Sequence, residues 1–141
     1  MKLEYLINYI VRIANLEYER SGLITSAMVL TEEDIRRELH KWIVYFGGSE
    51  AVGCVRLSLN ECDFSVAYLS VLPEFRRQGI GTKLYQIAEQ KAIEQGGCVG
   101  WVMLRKDLEV NQKFFEKMGY KFHSVADPQG IYLYYKKAVK T

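Results

Sequence analysis

The chain has 141 residues, of which 49% are hydrophobic and 26% are charged, a composition that excludes disordered and fibrous proteins. With 19 Lys and Arg against 17 Asp and Glu the formal net charge is +2, so charge gives no reason to propose a nucleic-acid partner. The length corresponds to one domain, residues 1–141. A signal peptide and a long apolar run are both lacking, so we expect a cytoplasmic protein with no membrane partner.

The three cysteines, Cys54, Cys62 and Cys98, are interpreted as reduced thiols. Their number is odd and no two of them are in C-x-x-C spacing, which argues against a disulfide framework and against a zinc site. Cys54 and Cys98 are expected to behave as small core hydrophobes. We therefore predict no metal in this protein.

Apolar residues between Leu3 and Arg20 recur at helical spacing, which favours a first helix ending near Ser21-Gly22. Alternating apolar residues from Tyr5 to Ile13 leave a strand as the alternative. A second helix is predicted after Thr31, which can cap the acidic first turn that follows it.

The hydrophobic period then changes to two. Trp42–Phe46 and Ala51–Leu59 are predicted to form a hairpin, and Phe64–Leu72 is predicted to form a third strand that Pro73 ends. The later elements are predicted as a helix, a strand, a helix and two closing strands, over residues 79–95, 99–104, 108–118, 120–125 and 131–136. This order predicts an α+β fold with a mixed, mostly antiparallel sheet of about six strands, in which strands three and four are parallel.

The segment between the third strand and the following helix is the strongest candidate for a binding site. Gly79 and Gly81 allow a ligand to approach the backbone, and the first amides of the helix form an anion site. Arg76, Arg77 and Lys83 add positive charge, so a phosphate or pyrophosphate is the expected guest. The spacing matches neither a P-loop nor a dinucleotide fingerprint, since Leu84 occupies the place of the third glycine.

The segment follows the pattern R-x-x-G-x-G after a strand and a proline, and here the chain resembles the GCN5-related N-acetyltransferase (GNAT) superfamily. The resemblance extends from about Thr31 to Lys137. It includes Val52-Gly53 in the hairpin and the run Phe115-Glu116-Lys117-Met118-Gly119-Tyr120.

The resemblance implies an acyl-CoA N-acyltransferase fold that binds acetyl-CoA where strands three and four splay apart. It implies that the loop from Arg76 to Thr82 holds the pyrophosphate, on the amides of Arg77, Gln78, Gly79, Ile80, Gly81 and Thr82. It further implies that the pantetheine arm pairs with the backbone of Leu69, Ser70 and Val71. An amide near Leu69 would then polarise the thioester carbonyl. The expected activity is transfer of an acetyl group to a primary amine of a small molecule or protein.

The chain departs from the family pattern at the residues expected to move protons. Many relatives have a tyrosine that protonates the departing thiolate, and Phe115 occupies that position here. Asn111, one helical turn earlier, is a candidate for cofactor contact. Glu61 and Tyr68 are the alternatives for a base, and Arg105 could meet an acidic group of the substrate. The catalytic residues are therefore left unassigned.

Two other functions stay open at this point. One is a catalytically weak or inactive acyl-CoA-binding sensor, which the phenylalanine at 115 favours. The other is a nucleotide-binding domain unrelated to acyl transfer. A homodimer is also considered, because the strand that usually precedes the first helix is not evident and an uncovered sheet edge favours pairing with a second chain.

Overall fold

The computed structural model of the chain describes residues 2–22 and 26–139. The helices within that part are α1 (Leu3–Ala14), α2 (Leu16–Arg20), α3 (Glu32–Arg37), α4 (Ile80–Glu94) and α5 (Glu109–Lys117). The strands are β1 (Trp42–Gly47), β2 (Glu50–Asn60), β3 (Asp63–Val71), β4 (Val99–Arg105), β5 (Lys121–Val125) and β6 (Tyr132–Ala138). Short 3-10 turns lie at Ser26–Met28, Leu39–Lys41 and Pro73–Phe75.

The strands form one sheet in the order β1-β2-β3-β4-β6-β5. The pairs β1–β2, β4–β6 and β5–β6 are antiparallel, and β3 runs parallel to β4. The α+β class and the parallel pair predicted from the sequence are thus confirmed. The parallel register extends only from Asp63 opposite Val99 to Ser65 opposite Trp101, and the rest of β3 lies outside it.

The chain divides into two compact units, Met1–Leu57 with Tyr68–Ala88 and Ser58–Ala67 with Glu89–Thr141. In the first unit, one face of α1 is buried against α3 and the hairpin. Its core comprises Ile7, Ile10, Val11, Ala27, Leu30, Ile35, Trp42, Cys54 and Leu72. Among the residues that α1 contributes to this cluster, Ile7 and Ile10 belong to the apolar stripe predicted for the N-terminal segment.

The second unit is built around Gly100 in β4. A Cβ atom at this glycine would lie 2.5 Å from the Tyr120 hydroxyl and 2.6 Å from the Phe64 ring. Glycine therefore lets two large buried side chains cross the strand. The Phe115 ring of α5 packs edge-on against Tyr120, with 5.5 Å between the ring centroids.

The N-terminal segment is helical, so the alternative of a strand from Tyr5 to Ile13 is wrong. The single helix predicted there is interrupted at Asn15, whose side-chain amide donates to the Val11 carbonyl at 2.7 Å. Asparagine side chains compete in this way with the helical backbone. The described residues before β1 include no strand, which leaves β1 at the edge of the sheet.

The second predicted helix begins where its cap was expected. The Thr31 hydroxyl accepts from the Asp34 amide, and the Asp34 carboxylate accepts from the Thr31 amide, both at 3.1 Å. This reciprocal pair is a capping box. In α4, Tyr85 is buried, whereas Ile87 is exposed.

The interpretation of all three cysteines as free thiols is wrong for two of them. Cys62 and Cys98 form a disulfide, with 5.0 Å between their Cα atoms and a separation of 36 positions in sequence. Spacing along the chain could not indicate this pair, because the parallel pairing of β3 with β4 brings the two together. Cys54 is free and buried, as predicted.

Among the described residues, no helix combines the length and the apolar character that crossing a membrane requires.

Gly53 in β2 is a position where packing tolerates no side chain. A Cβ atom there would lie 2.8 Å from Leu84 Cδ1 in α4 and 3.1 Å from the Ser70 carbonyl oxygen. We expect Gly53→Ala to lower the free energy of unfolding by about 1–3 kcal/mol, because the strand and the helix must separate. Gly47→Ala is the matched control, since its Cβ would meet Val52 at an ordinary 3.6 Å. Equal urea midpoints for the two variants would contradict the close approach of α4.

The cysteines give a second prediction, which thiol titration checks. Burial raises the pKa of the Cys54 thiol, and the thiolate is the reactive form. In protein prepared without reductant, no thiol should react with Ellman's reagent until denaturant exposes Cys54. After reduction, the native protein should show two reactive thiols, Cys62 and Cys98. Two reactive thiols before reduction would contradict the disulfide.

Candidate functional site

The candidate site lies on the turn that leads from β3 into α4, entirely within the first unit. Backbone hydrogen bonds fix its beginning: the Leu72 amide donates to the Val52 carbonyl at 2.9 Å, and the Phe75 amide donates to the Leu72 carbonyl at 2.9 Å. Pro73 starts the 3-10 turn and prevents β3 from continuing. The turn therefore begins from a defined point beside β2.

Two residues of this turn have left-handed backbone conformations. Arg77 has φ 64° and Gly79 has φ 78°, with Gln78 between them. Alternation of left- and right-handed residues turns successive amides toward one point and creates an anion-binding concavity. Glycine adopts this conformation at little cost, whereas arginine does so only when its surroundings hold it.

The first turn of α4 adds further donors. The first helical hydrogen bond runs from the Lys83 amide to the Gly79 carbonyl at 3.0 Å. The amides of Ile80, Gly81 and Thr82 precede it and have no acceptor within the helix. These amides and the positive end of the helix dipole favour a bound anion.

The loop has open space beside Gly79. A Cβ atom added to Gly79 would meet nothing within 4 Å. Arg77, Gln78 and Lys83 are exposed. Backbone donors, open space at Gly79 and two exposed cations, Arg77 and Lys83, are therefore present in the same loop.

Arg76 is held differently from its neighbour. Its guanidinium donates to the Glu17 carboxylate at 2.9 Å, to the Ala14 carbonyl at 2.7 Å and to the Val71 carbonyl at 3.3 Å. Its own amide donates to the Pro73 carbonyl. Arg76 thus ties the loop to the end of α1 and to α2, an anchoring role that sequence reasoning missed. No local pattern could reveal it, since Glu17 is 59 residues away in sequence.

The segment Leu69–Val71 lies at the end of β3. Ser70 is buried, and its hydroxyl donates to the Tyr68 carbonyl at 3.1 Å; Leu69 and Val71 are partly exposed. Tyr68 has φ 56°, the left-handed conformation found at the first residue of some β-bulges. Tyr68 immediately precedes Leu69, so its conformation sets the direction in which the backbone continues at Leu69.

Comparison with known proteins identifies the family to which this chain belongs. Residues 7–120 match the model of the acetyltransferase (GNAT) family. The chain belongs to the GNAT family. It is 32% identical over 105 residues to an uncharacterised N-acetyltransferase of Chlorobaculum tepidum, a match that covers 74% of this chain and 63% of that protein.

Solved structures share the fold. PaiA N-acetyltransferase from Thermoplasma acidophilum, crystallised with coenzyme A, superposes with a TM-score of 0.83 at 16% identity, over 96% of this chain and 92% of that one. Ard1 from Thermoplasma volcanium superposes with a TM-score of 0.75 at 19% identity, over 99% and 95% of the two chains.

Phe115 stands where the resemblance implies a proton-donating tyrosine, and a phenylalanine ring has no ionisable proton. Phe115 is buried, and its ring packs edge-on against Phe114 and Tyr120. Asn111, the candidate for cofactor contact, lies in the first turn of α5, where its amide donates to the Leu108 carbonyl.

The surroundings of the two residues considered as a base, Glu61 and Tyr68, and of Arg105 are as follows. Glu61 is exposed in the turn between β2 and β3, with φ 60°. The Tyr68 ring packs against Trp42, with 5.6 Å between centroids. Arg105 ends β4 and donates to the Asp107 carboxylate at 2.9 Å, an interaction that raises the pKa of the guanidinium. A substrate carboxylate would have to compete with Asp107 there.

The two adjacent arginines of the turn between β3 and α4, Arg76 and Arg77, should respond differently to the same substitution. Arg76→Gln removes the contacts with Glu17 and Ala14, and we expect it to lower the free energy of unfolding by about 1 kcal/mol, less at high salt. Arg77→Gln should change it by less than about 0.5 kcal/mol, because that side chain is exposed. Urea denaturation at two salt concentrations measures both. Equal losses, or a larger loss for Arg77→Gln, would refute the anchoring role.

Proposed function

We propose that this chain is an acetyl-CoA-dependent N-acetyltransferase that transfers an acetyl group to a primary amine of a small molecule or protein. The observation that carries the proposal is the loop from Arg77 to Thr82, with two left-handed residues, open space at Gly79 and first-turn helix amides that have no acceptor within the helix. Membership of the GNAT family and the coenzyme A bound to the Thermoplasma PaiA enzyme support it. We propose further that residues 1–141 act as one domain.

The residues fit the cosubstrate, which would supply the acetyl group as a thioester. The amides of Arg77, Gln78, Gly79, Ile80, Gly81 and Thr82 would hold its pyrophosphate, with the Arg77 and Lys83 side chains balancing charge. The backbone of Leu69–Val71 would pair with the pantetheine arm, and Asn111 is proposed as a further contact. Arg76 supports the site through the loop that it anchors.

The Leu69 amide is the proposed donor to the thioester oxygen. The left-handed conformation of Tyr68 directs the backbone at this point, and a fixed donor stabilises the negative charge that develops during attack by a neutral amine. The new C–N bond then replaces the C–S bond, the thiolate leaves, and the amine loses a proton to solvent or base. We assign no residue as acid or base, since Phe115 cannot act as one.

A second candidate function is an acyl-CoA sensor with little or no turnover, which the burial of Phe115 among aromatic rings favours. Such a protein would bind acetyl-CoA but would not acetylate any member of a broad amine panel. A cytoplasmic location, where disulfides are usually reduced, and a homodimer paired through the β1 edge are proposed with either function.

Calorimetric titration with acetyl-CoA and desulfo-CoA at moderate salt tests the cofactor site. We expect both to bind, and Gly79→Trp to weaken each at least about tenfold, because the indole fills the space that the pyrophosphate needs. Gly48→Trp is the matched control: Gly48 also has positive φ (67°), and a Cβ there also meets nothing within 4 Å. Arg77→Glu should weaken binding by reversing a charge.

The affinities of the two tryptophan variants and of the wild-type protein distinguish the possible functions. Equal affinities for Gly79→Trp and Gly48→Trp would show that the loop is not the site. Failure of the folded wild-type protein to bind either ligand would refute the acetyltransferase and the sensor together, and tighter binding of ATP than of coenzyme A would favour a nucleotide-binding domain instead.

A further inference from the structure

Arg56 is an arginine whose hydrogen-bonding capacity the protein leaves unused. It lies in β2 opposite Trp42, and its side chain is 29% exposed. Its Nε atom is buried and has no hydrogen-bond partner, the one such side-chain nitrogen or oxygen in residues 2–22 and 26–139. Because Nε is buried, a ligand of Arg56 would have to bind the two outer nitrogens of the guanidinium.

Aromatic rings, rather than hydrogen bonds, hold this guanidinium in place. Its central carbon lies 5.0 Å from the centroid of the Tyr68 ring, a cation–π arrangement, and Tyr68 in turn packs against Trp42. The nearest carboxylate oxygen, Glu38 Oε2, is 3.9 Å from Arg56 Nη1, which is beyond hydrogen-bonding distance. The guanidinium of Arg56 is therefore held in one orientation, while some of its hydrogen-bond donors have no partner.

The charges around Arg56 do not balance. Lys41 Nζ lies 3.2 Å from Glu38 Oε1, and this hydrogen bond is the largest cause of the lowered pKa of Glu38. Two cations thus share one carboxylate, which leaves a net charge of +1 for this group of three side chains. In the described part of the chain no other acidic group pairs with Arg56.

The position of Arg56 relates this excess charge to the proposed reaction. Tyr68, on which the guanidinium rests, is the residue immediately before Leu69, whose amide we propose as the donor to the thioester oxygen. A group bound at the outer nitrogens of Arg56 would lie beside the end of β3. This argument rests on the proposed function, because it presumes that the acetyl group lies at Leu69.

We propose that Arg56 binds a carboxylate of the acceptor, so that the acceptors of this enzyme are amines that also carry a carboxylate. The planar guanidinium matches a carboxylate with two parallel hydrogen bonds, which a lysine cannot do. Binding at Arg56 holds the anionic end and leaves the amine at the other end of the molecule to reach the acetyl group. The carboxylate takes no part in the bonds that form or break.

Matched pairs of acceptors test the proposal: glycine against glycinamide, leucine against leucinamide, and 4-aminobutanoate against butylamine. For at least one pair, the wild-type protein should show a kcat/KM at least tenfold higher for the carboxylate member. Arg56→Gln should reduce this preference to about one, because it raises KM for the carboxylate member at least about tenfold more than for the uncharged member. Arg56→Lys should keep part of the preference.

Glu38→Gln is the control that separates binding from structure. Removing the carboxylate that competes for Arg56 should lower KM for the carboxylate member or leave it unchanged. If Arg56 served only to pair with Glu38, both Glu38→Gln and Arg56→Gln would lower the melting temperature alike and the preference between acceptors would not move. Melting temperature and coenzyme A affinity are measured for every variant, and Arg56→Lys replaces Arg56→Gln should the latter fail to fold.

A binding measurement without turnover completes the design. The N-acetyl derivative of each carboxylate acceptor is titrated into wild-type protein saturated with coenzyme A, and at least one should bind at least tenfold more tightly than to Arg56→Gln. If coenzyme A binds but no carboxylate compound is preferred in either assay, the role of Arg56 is refuted and the acetyltransferase proposal stands. An equal loss for both members of a pair in Arg56→Gln also refutes it. If coenzyme A itself does not bind, the proposed function fails first.

Discussion

The segment from the last residues of β3 to the start of α4 depends on three residues held at positive φ: Tyr68, Arg77 and Gly79. Glycine adopts this conformation freely, but for each of the other two it costs on the order of 1 kcal/mol or more. The hydrogen bond from Leu72 to Val52 and the contacts of Arg76 keep the segment from relaxing into ordinary strand and helix. The amides at the start of α4 are open to an anion because the chain is held in this way.

The basic residues of the first unit divide into those whose charge is balanced and those whose charge is not. Arg76 has a carboxylate and two carbonyls as partners, and it stabilises the loop. Arg77 is exposed beside the anion-binding amides. Arg56 shares Glu38 with Lys41. Three arginines that the sequence distinguishes only as positive charges therefore differ in the partners that balance them. We propose folding for the balanced one and ligand binding for the other two.

Sequence patterns predicted the elements well wherever the determinant is local. Thr31 marked the start of α3, because a helix cap acts within one turn of the chain. The parallel pair β3–β4 followed from the helix between the two strands. These features carry most of the fold, including the loop between β3 and α4 for which we propose anion binding.

The features that sequence patterns did not predict depend on residues far apart in the chain. Cys62 meets Cys98 only through the strand register, and Arg76 meets Glu17 only through the packing of α1 and α2. The left-handed conformation of Tyr68 has no sequence signal, since tyrosine strongly favours ordinary strand geometry. Function depends on the same distant contacts, and for that reason the acceptor could not be inferred before the surroundings of Arg56 were known.

Phe115 determines how the proposed reaction could proceed. Its ring fills space between Phe114 and Tyr120, so packing, and not proton transfer, accounts for this residue. A thiol with a pKa near 8.5 can leave as the thiolate without full protonation, and correct placement of two reactants removes much of the barrier by itself. Rate enhancement in such an enzyme would come from the Leu69 amide, the loop and a well-placed acceptor. An acceptor held at a second point by Arg56 would then matter more for rate here than in relatives that have the tyrosine.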